Sequence, residues 1–596
     1  MGGFFAYNRN AAIDESVAAR VFERRGLDRI HRVECARFRF LYFPKHRDES
    51  LVTAEEGESI LIASGTFIYR NLCRQESLRS ALSDIRNHRF DDSQVFGAFA
   101  LCCIENDSMT VMMDSAGLYH CFYVVDGSAI SSSFTALAHA ITGFQTLDHM
   151  AVLHNLVLGF SPADLTISSA VRRVTRQRAE RIHWTYPCCV SYVKKPSIPE
   201  LFGAHRWDHV VIQAEHLQGI YRNLRRALPL DAYLGVSGGY DSRLTAVLMQ
   251  RAGFRIHGFS HRKPGLRSDE TVARDIANLM NFPLTVVDTD GVNRRDSDAL
   301  SHNMHAAFDW FDGRAHHAME YLKYEYSMAY RQTVHPDSYP VMSGTGGEIL
   351  RNHNYMPSGG SADLRTWMWY FGADYLSAAS ITCPEIRRRI EKFWETWIPE
   401  TLQIEPSSRI RFLDMRRYYT DVWLPDWHGL RNSCENQFST YLAPFADATV
   451  FQYAHGACRW IGCNGAFEAD ILSNLSPEIA NRPSSYGYPL ATLPFAARCR
   501  ARLRCALPAG LKLLAGSLRI AYRTVPRLMD YPEIAQIPIL KQTAQDMLDL
   551  KLPINLDRLA ISREKRVLIL SLGFALRRHA SNSTLRVTDA LKGTSA

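Results

Sequence analysis

The sequence predicts an α/β protein of two domains. A β-rich N-terminal sandwich precedes a doubly wound parallel sheet with a helical C-terminal part. Three observations predict this. The chain has 596 residues, too many for one ordinary core. Residues 1–195 read as short apolar or β-branched runs broken by turn residues. From about residue 205 the pattern changes to strand–turn–helix alternation, and after about 360 to helix. The expected domains are 1–195 and 205–596.

In the first domain, Leu51-Val52, Ile60-Leu61-Ile62, Phe96 to Ile104 and Thr110 to Met113 are the expected strands. In the second, Ala232 to Val236 is a short apolar strand followed by a glycine-rich turn. Leu244, Val247 and Leu248 recur at helical spacing, and Gly253 stops that helix. Ile256 to Ser260 is the next strand. Ser268 caps a helix with Asp269 and Glu270 in its first turn, and Val272, Ile276 and Leu279 on one face. Leu284 to Asp288 is a third strand. Such β-α-β-α-β order makes a parallel sheet.

Composition narrows the function classes. Apolar residues make up 46% and charged residues 22%, as in ordinary globular proteins. Thirteen cysteines without a CxxC pair read as small apolar residues of a reduced, cytosolic protein. No signal peptide is expected. The late apolar run Val567 to Leu576 has about half the length of a bilayer span, so no membrane span is expected. Met1-Gly2 suggests myristoylation, but Ala6 stands where Ser or Thr is required. The net charge of +8 is mild, and part of it is gathered in Arg498, Arg500, Arg502 and Arg504. These read as a solvated helix or as a dock for an acidic partner. No nucleic-acid module is present.

The chemistry centres on Ser237-Gly238-Gly239-Tyr240-Asp241-Ser242, between a strand and a helix. Two glycines let the backbone approach an anion. The helix adds its positive end, and Ser237 and Ser242 add hydroxyls. Asp241 beside phosphates calls for a bridging cation, with Mg²⁺ the natural one. The loop is not a Walker A motif, since no GK[ST] follows. Gly235-Val236-Ser237-Gly238-Gly239 also matches the G-x-S-x-G elbow, which would make Ser237 a hydrolase nucleophile needing a downstream Asp and His. A second glycine-rich turn, Ser343-Gly344-Thr345-Gly346-Gly347-Glu348, follows Val341-Met342. Two such turns at neighbouring strand ends could clamp one nucleotide, with Glu348 sharing the metal with Asp241. His302, His305, His316 and His317 with Asp309 and Asp312 match no structural zinc spacing.

Ser237 to Ser242 resembles the SGGxDS pyrophosphate loop of the asparagine synthetases and their relatives, and Ser343 to Glu348 resembles their SGxGxD motif. Glu348 falls at that family's metal-binding Asp. Ser268-Asp269-Glu270 fits its next helix, and Pro444-Phe445-Ala446-Asp447 its PFxD element. The resemblance implies an ATP-pyrophosphatase-type domain. It also implies ATP and Mg²⁺ as cofactors, nucleotide contacts at Val236, Ser237, Gly238, Gly239, Asp241, Ser242, Ser260, Ser343 and Gly344, and metal contacts at Asp241 and Glu348. More loosely, Phe96 to Ala100, Asp114, Gly117 and Ser131 to Leu137 resemble the Ntn-type glutamine amidotransferase domain of these proteins.

The departures redirect the reading. Glutamine-dependent members begin Met-Cys and use that thiolate as nucleophile. Here residue 2 is Gly, so the domain is expected to be degenerate and the amine to come from elsewhere. β-Lactam synthetases place a Tyr in the second motif and a Lys in an NRPK stretch; this chain has Thr345 and Asn481-Arg482-Pro483-Ser484. The lasso peptide cyclases fit better. They share a G-x-G-G-acidic motif like Gly344 to Glu348 and a Ser-rich stretch like Pro483 to Gly487. The resemblance implies adenylation of an Asp or Glu side chain of a leader-trimmed precursor peptide, followed by macrolactam closure by its N-terminal amine. A leader peptidase and a leader-recognition protein are the implied partners. The aromatic groups Trp367 to Phe371 and Tyr418 to Trp427 would line a broad cavity or form core. An ammonia-dependent ligase on a small acid, a hydrolase through Ser237 and a non-catalytic scaffold stay open as alternatives.

Overall fold

The computed structural model describes residues 2–45, 53–142, 145–176, 188–195, 205–262, 268–287, 297–315, 321–322, 339–352, 356, 360–406, 409–521, 524–582 and 585–586. The expected Leu51-Val52 strand, His316 and His317 lie outside them.

The N-terminal half is built on two sheets. The first runs Val171–Arg173, Phe122–Val124, Ala129–Ser131, Gly3–Asn8, Phe38–Phe43, His31–Glu34, every pair antiparallel. The second runs Cys188–Tyr192, Ser108–Met113, Phe99–Glu105, Ser59–Gly65, Thr53–Glu56, and only its first pair is parallel. Strand alternation explains how they stack. Phe4, Ala6, Phe40 and Tyr42 of the first sheet share a core with Ile62, Ala100, Cys102 and Val111 of the second. Their alternates face helices: Phe5, Leu41 and Phe43 with Glu15–Arg24 and Phe134–Ala140, and Leu61, Ala63 and Leu101 with Arg74–Arg86. The expected β-rich sandwich is present and carries a helical layer on each outer face.

The second sheet system is the parallel one expected. Its strands are β1 (Asp231–Gly235), β2 (Arg255–His261), β3 (Leu284–Val287), β4 (Val341–Met342) and β5 (Tyr441–Leu442). They lie in the order β3-β2-β1-β4-β5, all parallel. The order reverses between β1 and β4, so the carboxyl ends of those two strands flank the crevice where such sheets bind ligands. Helix α1 (Tyr240–Ala252) follows β1 and ends at Gly253 with φ +85, a left-handed cap that glycine adopts without strain. Helix α2 (Asp269–Leu279) is capped by Ser268, whose side chain accepts from Thr271 N–H. Beyond residue 360 the chain is mainly helical, as expected.

The two halves are knitted together. Asp312 caps the Phe134–Ala140 helix from the far side of the chain, accepting from Phe134 N–H at 2.6 Å and Thr135 N–H at 3.3 Å. Arg25 faces it at 3.4 Å, and both side chains are at most 1% exposed. Helix Arg563–Asn582 returns to the first half, where His579 Nδ1 meets His139 Nε2 at 3.0 Å, and Leu585–Arg586 pairs with Gln145–Thr146. Among the described residues no helix is long and apolar enough to cross a membrane. All thirteen cysteines are free thiols.

Removing one partner of a buried ion pair leaves the other charge uncompensated. Asp312→Ala is therefore expected to lose about 3–5 kcal/mol of stability, read as a lowered urea midpoint. A change below about 1 kcal/mol, the range of exposed pairs, would contradict this role.

Candidate active site

Residues 237 to 242 turn the chain from β1 into α1 at the switch point. The turn is held by its own serines. Ser237 N–H donates to Ser242 Oγ at 3.1 Å, the two hydroxyls lie 3.0 Å apart, and Ser242 Oγ–H donates to the Ser237 carbonyl at 3.1 Å. Val236 N–H donates to the Phe259 carbonyl at 2.8 Å, and buried Ser260 is the next residue of β2. Gly238 N–H donates to Asp269 Oδ1 at 3.0 Å. A carboxylate oxygen thus takes the amide that an anion-binding loop offers to a phosphate oxygen. The Ser237 hydroxyl is paired with Ser242, and no histidine of the described residues is hydrogen-bonded to it.

The second turn follows β4 and packs directly on the first. Ser343 N–H donates to the Leu442 carbonyl at 2.8 Å, and Ser343 Oγ lies 2.8 Å from Thr345 Oγ1. The glycines permit the close approach. A Cβ on Gly344 would lie 2.8 Å from Asp241 Cβ, and one on Gly347 would lie 2.1 Å from Asp241 Oδ1. The short turn Gly347–Leu350 then presents Glu348 and Arg351 to the same cleft.

Arg351 is the residue that sequence reasoning missed. Its Nη2 donates to Asp241 Oδ1 and Oδ2 at 2.9 and 2.7 Å. It lies 3.7 Å from Glu348 Oε1, and its Nε is 3.1 Å from Glu468 Oε2. Tyr419 O–H donates to Glu348 Oε2 at 2.8 Å, and the Tyr240 ring lies under the guanidinium, 5.6 Å from Arg351 Cζ. Asp241 and Glu348, expected to share a cation, are brought to one, and it is a side chain. Tyr419 begins a π-helical stretch, Tyr419–His428, a winding that recurs at functional sites. Trp423 and Trp427 on it stack at 4.7 Å, half-exposed, beside Tyr419.

Burial and crowding set the charges. Burial pushes the Asp241 carboxyl up to about 6, with Arg351 opposing and Glu348 adding to the rise. Fully buried Glu468 is pushed well above the usual carboxylate range by burial and then by the neighbouring Asp241 carboxylate. Burial also raises Glu348, but His428, Arg351 and the Tyr419 hydroxyl outweigh it and hold that carboxylate below its ordinary value. Glu348 is the ionised member of the set, whereas Asp241 and Glu468 retain a proton most readily.

The donor set suits a hard cation: carboxylates and hydroxyls without thiolate. No three His, Cys, Asp or Glu side chains of the described residues are arranged to hold a metal by themselves. Asp241 and Glu348 would supply two ligands, leaving the rest to phosphate oxygens and water, which is the habit of Mg²⁺.

Other expectations resolve differently. Arg243, which follows the first turn, is fully buried and donates to the Arg482 carbonyl at 3.0 Å and to the Pro483 carbonyl. It clamps that stretch so that Ser485 lies against Gly238, its Cβ 2.5 Å from where a Gly238 Cβ would stand. Trp367, Trp369, Tyr418 and Tyr419 are buried; core is their principal role, and only Tyr370, Phe371, Trp423 and Trp427 are half-exposed. His302 is exposed and His305 packs edge-on against Phe574 at 5.0 Å. Gly2 is buried, with Ser64 Oγ–H and Tyr119 O–H donating to its carbonyl. A Cβ there would stand 1.8 Å from the Phe43 carbonyl oxygen, so a cysteine does not fit this backbone.

No protein-family model matches the chain. No curated protein matches it either.

Asp241→Asn isolates the raised carboxyl. A value raised from 3.8 to about 6 means the folded protein holds the proton more tightly. That favours folding most below about pH 4 and is withdrawn as pH climbs to about 6. Relative to the parent, the variant should gain stability across that window and level off above it. Thermal unfolding of both proteins between about pH 4 and 7 checks this; a pH-independent difference contradicts it.

Proposed function

We propose that this protein is an ATP-dependent carbon–nitrogen ligase that activates a carboxylate as its acyl-adenylate. We further propose that it works as a lasso-type peptide cyclase. The observation that carries the reading is the meeting of two glycine-rich turns at the switch point of a parallel sheet, with Asp241 and Glu348 converging between them. That is a place for a polyphosphate and its cation.

In this reading ATP and Mg²⁺ are the cofactors. The turn 237–242, Ser260, Ser343 and Gly344 hold the nucleotide, and Asp241 and Glu348 hold Mg²⁺, which when bound neutralises phosphate charge. A side-chain carboxylate oxygen of the peptide attacks the α-phosphorus and pyrophosphate leaves. The peptide's N-terminal amine then attacks the acyl carbon, loses a proton, and AMP leaves. The protein's part is chiefly alignment, which can supply about 7–11 kcal/mol of the barrier. Thr345 offers no base at neutral pH. The half-exposed Trp423–Trp427 stack offers a flat apolar surface for a peptide beside Glu348. The N-terminal half fits a degenerate Ntn-type amidotransferase domain, since Gly2 carries no thiolate and its surroundings leave no room for one. A leader peptidase and a leader-recognition protein belong to the proposal as partners.

Mass spectrometry of a leader-trimmed peptide, incubated with the protein, its partner peptidase, ATP and Mg²⁺, tests the reading. The expected result is loss of one water from the peptide with AMP formed, abolished by Asp241→Ala. AMP only with ammonia and a small amino acid would replace the cyclase with the simpler ligase. No AMP with any carboxylate would sink the adenylation reading.

A further inference from the structure

Helices Phe495–Ala506 and Ala509–Ala521 follow one another across Leu507-Pro508, and each buries a narrow stripe and exposes much of the rest. The first helix touches the body through Ala497, Ala501 and Cys505, one residue per turn. In the second, a Cβ on Gly516 would stand 2.5 Å from the Tyr375 ring, and Lys512 lies over Tyr370 at 5.2 Å.

The outward faces carry Phe495, Leu503, Leu507, Leu511, Leu514 and Leu518, between 38% and 75% exposed. These are half of the twelve large apolar side chains exposed among the described residues, gathered in two helices. Such concentration marks an interaction surface, whereas scattered single residues do not. The charge is equally one-sided. No Asp or Glu occurs between Glu478 and Asp530, while the two helices carry Arg498, Arg500, Arg502, Arg504, Lys512 and Arg519. Among the described residues no carboxylate pairs with Arg498, Arg500, Arg502 or Arg519.

We propose that this pair of helices docks the protein on an anionic phospholipid surface, lying in the interface with its leucines among the acyl chains and its arginines on the phosphates. The chemistry favours lipid over a protein partner. Protein interfaces anchor chiefly on Tyr, Trp and Arg, with Leu under-represented; the exposed large apolar side chains here are five leucines and Phe495. Leu and Phe beside Arg and Lys on an amphipathic helix is the pattern of interfacial binding. Charge complementarity does the rest, since acidic headgroups meet basic residues on helices that carry no carboxylate of their own. Asn352 Nδ2 donates to Cys505 Sγ at 3.8 Å, so the first helix sits on the residue next to Arg351. Docking would place the candidate site close to the bilayer surface, yet the inference stands independently of the catalytic reading.

Sedimentation of the full chain with vesicles tests it. Binding is expected to equimolar phosphatidylglycerol–phosphatidylcholine vesicles at low salt, weakening with added salt, and not to phosphatidylcholine alone. Replacing Arg498, Arg500 and Arg502 by Gln should weaken binding about a hundred-fold, each basic residue contributing roughly five-fold. Leu514→Glu with Leu518→Glu should abolish it, with the circular dichroism and thermal midpoint of the free protein unchanged. Absence of binding to anionic vesicles overturns the proposal, as does equal binding by these variants. A dimer in light scattering that Leu514→Glu dissolves would give the face to a second copy and overturn it. So would capture of the partner peptidase by the parent but not the variant, without vesicle binding.

Discussion

Three carboxylates cannot share a small cleft unless something positive stands among them. Asp241, Glu348 and Glu468 converge because the glycine-rich turns after β1 and β4 are pressed together at the point where the sheet reverses its order. Arg351 is the cation that makes this tolerable, touching all three. A proton favoured by Asp241 and Glu468 reduces the negative charge that remains. Much of the surrounding architecture serves this arrangement. Gly344 and Gly347 give way to the Asp241 side chain, Tyr419 holds Glu348 from a π-helical segment, and buried Arg243 ties the 482–485 stretch over the first turn.

Such a cleft is balanced rather than relaxed. Its charges are tuned by one another more than by solvent, although Asp241 keeps 22% of its side chain exposed and Glu348 29%. An incoming polyphosphate with its metal would exchange one set of counter-charges for another. Arg351 can follow phosphate oxygens as readily as carboxylates, since its planar fork suits both. The amide of Gly238, which in this arrangement serves Asp269, is available to the same exchange.

Legibility followed locality. The β1-α1-β2-α2-β3 run was readable because its signals are short-range: a Gly253 stop, a Ser268 cap, and a change of apolar period. The two glycine-rich turns were readable because special backbone needs special residues. Strands β4 and β5 are two residues each, and β5 arrives after a long helical stretch, so periodicity could not announce it. Arg351 had a faint signal, three residues after Glu348 in one turn. Glu468 had none; it is one acid in a helix, Ala466–Leu475, brought in from more than 100 residues away. Arg243 is buried because the 479–483 segment wraps it, a contact across more than 200 residues that no local pattern announces. The return of the Arg563–Asn582 helix to the N-terminal half is equally non-local.

The central claim is that a carboxylate oxygen of the substrate becomes bonded to the α-phosphorus of ATP. Isotope transfer measures this most directly. With substrate labelled by ¹⁸O in the acceptor side-chain carboxylate, amide formation through an acyl-adenylate should leave one ¹⁸O atom in AMP. Label in inorganic phosphate with ADP formed, or product formed with unlabelled AMP, would contradict the account.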